Sequence, residues 1–147
     1  MRRKLSDALI TQIRMRAGGL CEYCHVIEQW QCVLFTVDHV IPLALGGDDT
    51  ITNLALACAH CNRRKSYSIT SIDPQTNLST SLFNPRLDQW RDHFIWSGDG
   101  TKLIGTTPSG RATITTLEIN RPHLVSIRQA DIVIGRHPPE GDLRLFS

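Results

Sequence analysis

The chain has 147 residues, 41% of them apolar and 20% charged, a composition that excludes a disordered, collagenous or repeat-built protein and fits one modest domain or a small site-bearing module with an appendage. No run approaches the roughly eighteen apolar residues of a membrane span, and the N-terminal MRRKLSDALI lacks an apolar signal core, so a cytoplasmic location without a membrane partner is expected. Net charge is only +2: residues 1–65 carry eight Lys/Arg against six Asp/Glu, and residues 66–147 eight against eight. The basic clusters Arg2-Arg3-Lys4 and Arg63-Arg64-Lys65 are candidates for phosphate contact.

In chain order, Ser6 is placed to cap a helix whose apolar positions Leu9, Ile10, Ile13 and Ala17 share a face, with Gly18-Gly19 as its stop. The tight turn CEYC follows. Residues 32–41, CVLFTVDHVI, are β-rich and bounded by Pro42, which predicts a strand that can bend into a hairpin. GGDDT is a loop, Asn53 opens a short segment, and residues 59–67 predict a helix. The polar stretch 68–81, SITSIDPQTNLSTS, reads as a surface connector. Beyond it, LFNPRLDQWRDHFIW predicts a turn and then a strand, with Trp90, Phe94 and Trp96 as packing residues. TKLIGTTPSGRATITTLEIN predicts either a β-hairpin or a strand followed by a short helix, and Asn120 with Pro122 reads as the cap and first-turn proline of a last helix near 121–134. The expected organisation is therefore 1–67, a connector 68–81, and a mixed α/β extension 82–147 packed on the first part.

Cys21/Cys24 and Cys58/Cys61 form two Cys-x-x-Cys pairs separated by thirty-three residues. Four thiolates suit tetrahedral Zn²⁺, and the gap exceeds that of a zinc ribbon, so structure must fold between the halves. A Cys₄ site has no open position for water, which makes this zinc a staple; the chemistry must lie elsewhere. Cys32 is left over and is expected to be a buried, inert thiol, while His25 and His60 are expected outside the ligand set.

Asp38 and His39 are neighbours in the expected strand, where side chains alternate between faces unless the backbone bends. Taken alone, they read as a surface acid beside a core histidine. Taken with CEYC, VDHVIP, GGDDTITNLALAC and CNRRK in that order, they resemble the Cys-x-x-Cys-bearing HNH endonuclease family over residues from about 20 to 66. The tail also resembles an extension found on some bacterial HNH proteins, to which no chemical role attaches.

This resemblance implies an α+β chain with a ββα-metal core, a structural zinc, an N-terminal helix and the extension. It implies phosphodiester hydrolysis of double-stranded DNA. By position, Asp38 would be a ligand of a catalytic Mg²⁺ or Mn²⁺ and His39 the general base. Asn53 would pin the loop and orient His39, and Asn62 would be the second metal ligand, in an H-N-N variant whose amide oxygen suits a hard cation. Arg63, Arg64 and Lys65 would reach adjacent phosphates. Two rival readings stand beside this one. The first is a non-catalytic zinc-stapled nucleic-acid-binding module, marked by a steep salt dependence without need of Mg²⁺. The second is a zinc-stabilised protein that makes contacts through its aromatic C-terminal half. Target sequence, pathway and oligomeric state are not legible.

Overall fold

The computed structural model describes residues 4–146, so Arg2 and Arg3 of the first basic cluster lie outside it. Two compact units emerge: Met1–Ile69 with Asn84–Leu87, and Thr70–Phe83 with Asp88–Ser147.

The first unit begins with helix α1, Asp7–Ala17, where the Ser6 hydroxyl accepts the Leu9 amide and Gly18 ends the helix at φ 64. That left-handed geometry is nearly free for glycine and strained for other residues. Arg14 on α1 makes a two-pronged pair with Glu28 at 3.2 and 3.1 Å. Glu28 in turn accepts the Phe35 amide at 2.7 Å, which fixes the chain as it enters strand β1, Thr36–His39. The strand is shorter than the expected 32–41, because only four residues find antiparallel partners in β2, Leu54–Ala57: Thr36 opposite Ala57 through His39 opposite Leu54. Cys32, expected to be buried, is exposed, because it lies in the unpaired approach to the strand.

All four residues of β2, Leu-Ala-Leu-Ala, are buried. This explains the lack of alternation in its sequence: α1 packs against it and α2, Ala59–Lys65, packs against both strands. The order β1, β2, α2 is the ββα core.

Between the strands, the Gly-Gly loop approaches the strand end so closely that a Cβ on Gly47 would sit 1.8 Å from the Ile41 carbonyl oxygen. Arg86, from the short segment that returns to this unit, donates to the Leu54 carbonyl at 3.2 Å and pairs with Glu22.

In the second unit, the stretch expected as a connector is instead a hairpin of β3, Thr70–Ile72, and β4, Ser79–Ser81. Its turn is built by Asp73, whose carboxylate accepts from the Gln75 amide and the Thr76 hydroxyl. That side-chain turn chemistry converts a polar, Ser/Thr-rich sequence into ordered strand. Strands β5, Phe94–Trp96, and β6, Leu103–Gly105, form a second hairpin. Helices α3, Pro108–Leu117, and α4, Pro122–Val133, complete the unit. So the alternative of a strand followed by a helix holds for residues 101–120.

Phe94 and Trp96 are wholly buried, with Trp90 stacked near both at 5.0 and 6.2 Å, which makes these aromatics core. Asn120 does not cap α4. Arg121 occupies that position without a side-chain bond, and Asn120 pins β6 through both main-chain groups of Leu103 at 2.8 Å.

Candidate active site and cysteine cluster

The four sulfurs of Cys21, Cys24, Cys58 and Cys61 lie within 4.8 Å of one another in the buried interior. A tetrahedral zinc with Zn–S bonds of about 2.3 Å needs sulfurs about 3.8 Å apart. Cys24 and Cys58 are 3.9 Å apart, so the residues fit the ion.

Local folding presents them correctly. Cys58 is the N-cap of α2, where its sulfur accepts the Cys61 amide at 3.4 Å. His25 at φ 62 closes the first knuckle with its amide on the Cys21 carbonyl. Hydrogen bonds from Cys21, Cys24 and Cys61 pull the Cys58 thiol far below the usual range, while burial pushes Cys21 up. One thiolate is therefore already favoured in the cluster, and thiolate is the zinc-binding form. His25 and His60 are outside the tetrad.

Residues from β1, the loop after it and α2 line a cavity of about 620 Å³. Asp38, His39, Asn62 and Arg63 contribute its polar lining, and Pro42, Leu43, Ala44 and Tyr67 contribute apolar and aromatic surface. The two strand neighbours thus share one cavity. His39 is the last residue of β1, and its carbonyl is gripped from outside the ladder by the Lys65 ammonium at 3.3 Å, with the Val40 carbonyl at 3.0 Å.

Asp38 is 4% exposed. Its Oδ2 accepts from the Tyr23 hydroxyl at 2.7 Å and meets Lys65 Nζ at 3.1 Å. Both contacts fall on the same oxygen, so Oδ1 is the atom of Asp38 that could serve as a ligand. The desolvated carboxylate also pushes the Tyr23 phenol up, after burial itself, so Tyr23 stays a donor.

Asn62 directs its amide nitrogen to the Thr36 hydroxyl at 2.7 Å, which commits Nδ2 and leaves the carbonyl oxygen to a cation. One carboxylate oxygen and one amide oxygen at this place could hold a hard, oxygen-seeking cation.

His39 is 8% exposed, and its Nε2 lies 2.6 Å from Asp49 Oδ1. Asn53 does not line the cavity. Its Oδ1 accepts the Ile41 amide and its Nδ2 donates to the carbonyls of Ile41 and Asp48, all at 2.9 Å. It clamps the loop that carries Asp49 against the end of β1.

The basic triad needs a correction. Arg63 and Arg64 are exposed, but Lys65 is 1% exposed and locked onto Asp38 and two carbonyls, so it is not available to an adjacent phosphate. On a helix whose inner face packs on the strands, the fourth residue after Cys61 turns inward with it. Tyr23 and Asp49 were not singled out from sequence. Nothing in CEYC marks the tyrosine as the partner of Asp38, and nothing in GGDDT separates Asp49 from Asp48, which instead accepts from the Thr50 amide and hydroxyl at 3.0 and 2.6 Å.

No helix among the described residues is long and apolar enough to cross a membrane. No curated protein matches the chain. Residues 21–68, which contain both cysteine knuckles, β1, β2 and α2, match the family model of the HNH endonuclease, and over that stretch the chain is a cysteine-stapled ββα domain similar to that family.

Proposed function

We propose that the protein is a divalent-metal-dependent endonuclease that hydrolyses phosphodiester bonds of DNA. The observation that carries this reading is that Asp38, His39 and Asn62 line one cavity on the ββα core. A non-catalytic binding module has no need of a base and two oxygen ligands around one space.

His39 is the general base: an imidazole ordinarily titrates near 6.5 and takes a proton from water at neutral pH. Asp49 at Nε2 holds the ring in one orientation, and Asn53 holds the loop that carries Asp49. The attacking water gives its proton to His39 as its oxygen bonds to phosphorus. The bond from phosphorus to the 3′-oxygen breaks, and the departing oxygen is protonated from solvent, leaving a 5′-phosphate and a 3′-hydroxyl. Asp38 and Asn62 would hold Mg²⁺ or Mn²⁺, which would supply stabilisation of the negative charge that develops in the reaction. Arg63, lining the cavity, and exposed Arg64 bind flanking phosphates. Cys21, Cys24, Cys58 and Cys61 would hold Zn²⁺, which would fix the helix that carries Asn62 against the first knuckle.

The test is plasmid cleavage in Mg²⁺ or Mn²⁺ by wild type and His39→Ala. The variant is expected to keep its zinc and its circular dichroism and to lose cleavage by at least about 100-fold, the usual contribution of a general base. Full cleavage by His39→Ala would refute the assignment.

A further inference from the structure

The cavity holds more than phosphate chemistry requires. Hydrolysis uses its polar lining, yet Tyr67, 73% exposed, lines the same space. Among the described residues, the fold gives this ring no hydrogen bond, ion pair or ring partner. Leu43, 44% exposed, lines the cavity as well.

The backbone just before the tyrosine is strained. Ser66 ends α2 at φ 50 and ψ −127, a conformation that is costly for any residue but glycine. Such strain persists where the surrounding structure over-determines it and clusters where a side chain has to be delivered to a site. Here it delivers an unpartnered aromatic to the lip of the candidate active site, one turn beyond Asn62 and Arg63.

We infer that Tyr67 is a stacking platform for a nucleobase next to the scissile phosphate, and that the site favours DNA whose base there is unstacked: a single strand, a flap or a gap. The inference rests on the nuclease reading for its substrate. A tyrosine face offers stacking to any base without regard to sequence, and exposed Arg63 and Arg64 supply the charge that holds the strand's phosphates nearby. In intact duplex every base face is covered by its neighbours, so this contact is withheld from paired DNA unless a base is first extruded.

The experiment has two arms on the full chain. In the first, kcat/KM in Mn²⁺ is measured on single-stranded, flapped and fully paired oligonucleotides of one sequence. Wild type is expected to favour the unstacked substrates, and Tyr67→Ala to lower that preference by roughly 5- to 100-fold, the span of a lost base–aromatic stack, while Tyr67→Trp preserves it. In the second arm, 2-aminopurine is placed beside the scissile position and its fluorescence is read on binding to His39→Ala. Quenching is expected, and it should vanish in the His39→Ala/Tyr67→Ala double variant. Equal activity of Tyr67→Ala and wild type on every substrate, or quenching that survives removal of Tyr67, overturns the inference and leaves the nuclease reading intact. Tyr67-dependent quenching by a wild-type chain that cuts nothing supports the platform and removes the nuclease instead.

Discussion

Asp49 Oδ1 lies 2.6 Å from Nε2 of His39, so a carboxylate from the Gly-Gly loop grips the imidazole at the end of β1. A partner of this kind fixes both the orientation of a ring and the nitrogen that carries its proton. Asp49→Asn preserves the shape but removes the charge, so the ring can settle in the wrong tautomer. Cleavage is expected to fall about 10- to 100-fold, the usual cost of losing a group that orients a reacting one, with the melting temperature nearly unchanged because the carboxylate is 40% exposed. Nicking rates at saturating Mg²⁺ measure it. An Asp49→Asn protein that cuts at the wild-type rate would show the contact to be incidental.

Lys65 and Asp38 form a second relationship, of a different kind. Both are almost completely buried, and Tyr23 shares the same carboxylate oxygen. Removing the ammonium strands a desolvated charge, so Lys65→Met is expected to cost about 3–5 kcal/mol in urea unfolding, far more than a surface phosphate contact would. The double variant Asp38→Asn/Lys65→Met should recover much of that loss, because the uncompensated charge is gone. A single variant within about 1 kcal/mol of wild type would return Lys65 to the surface role expected from sequence.

What could be read in the sequence follows from how local the determining physics is. The helix from Asp7 to Ala17 was legible because Ser6 and Gly18 act within a turn of it. The ββα core was legible because cysteine spacing and the order of the Asp-His, Asn and second cysteine elements are linear features. Lys65 was misread because a run of three basic residues carries no sign of which one its helix turns inward. The 68–81 stretch was misread because its Ser/Thr-rich sequence does not show that Asp73, besides building the turn, pairs with Arg111, thirty-eight residues away at 2.9 Å. Asp49 was invisible for a similar reason: its role exists only once Asn53 has folded the loop back, through a close approach that Gly47 alone permits.

The cysteine cluster makes a prediction about folding. Four sulfurs within 4.8 Å lie buried in a unit whose strands have only four residues each, too little sheet to stand alone. Structural zinc in such a setting contributes on the order of 10 kcal/mol to the folded form. Cys58→Ser also weakens the cap of α2, and it is expected to release zinc and unfold the first unit. Metal analysis of the purified variant, with circular dichroism before and after a strong chelator, reads both. A Cys58→Ser protein that is folded and retains one tightly held zinc would remove the staple.

The second unit should be sensitive to acid, and the sign follows from Asp73. Hydrogen bonds from Arg111, followed by those from the Gln75 amide and the Thr76 hydroxyl, hold its carboxyl well below the ordinary carboxylate range. In the same unit the Thr101 amide, with the Ser97 and Thr101 hydroxyls, lowers Asp99 to about 2. A carboxylate whose folded value is depressed stabilises the fold fully above its unfolded value, near 3.9, and loses that contribution as pH falls through the folded value. Urea unfolding of the second unit, followed through Trp90 and Trp96, should therefore show stability that is flat with respect to these two groups above about pH 5 and declines from about pH 4 downward. Asp73→Asn lowers stability at neutral pH by breaking the Arg111 pair, and it must also flatten the acid decline, because the titrating group has been removed. If that variant loses stability between pH 4 and pH 2 as steeply as wild type, the Asp73–Arg111 pair is not what acid breaks.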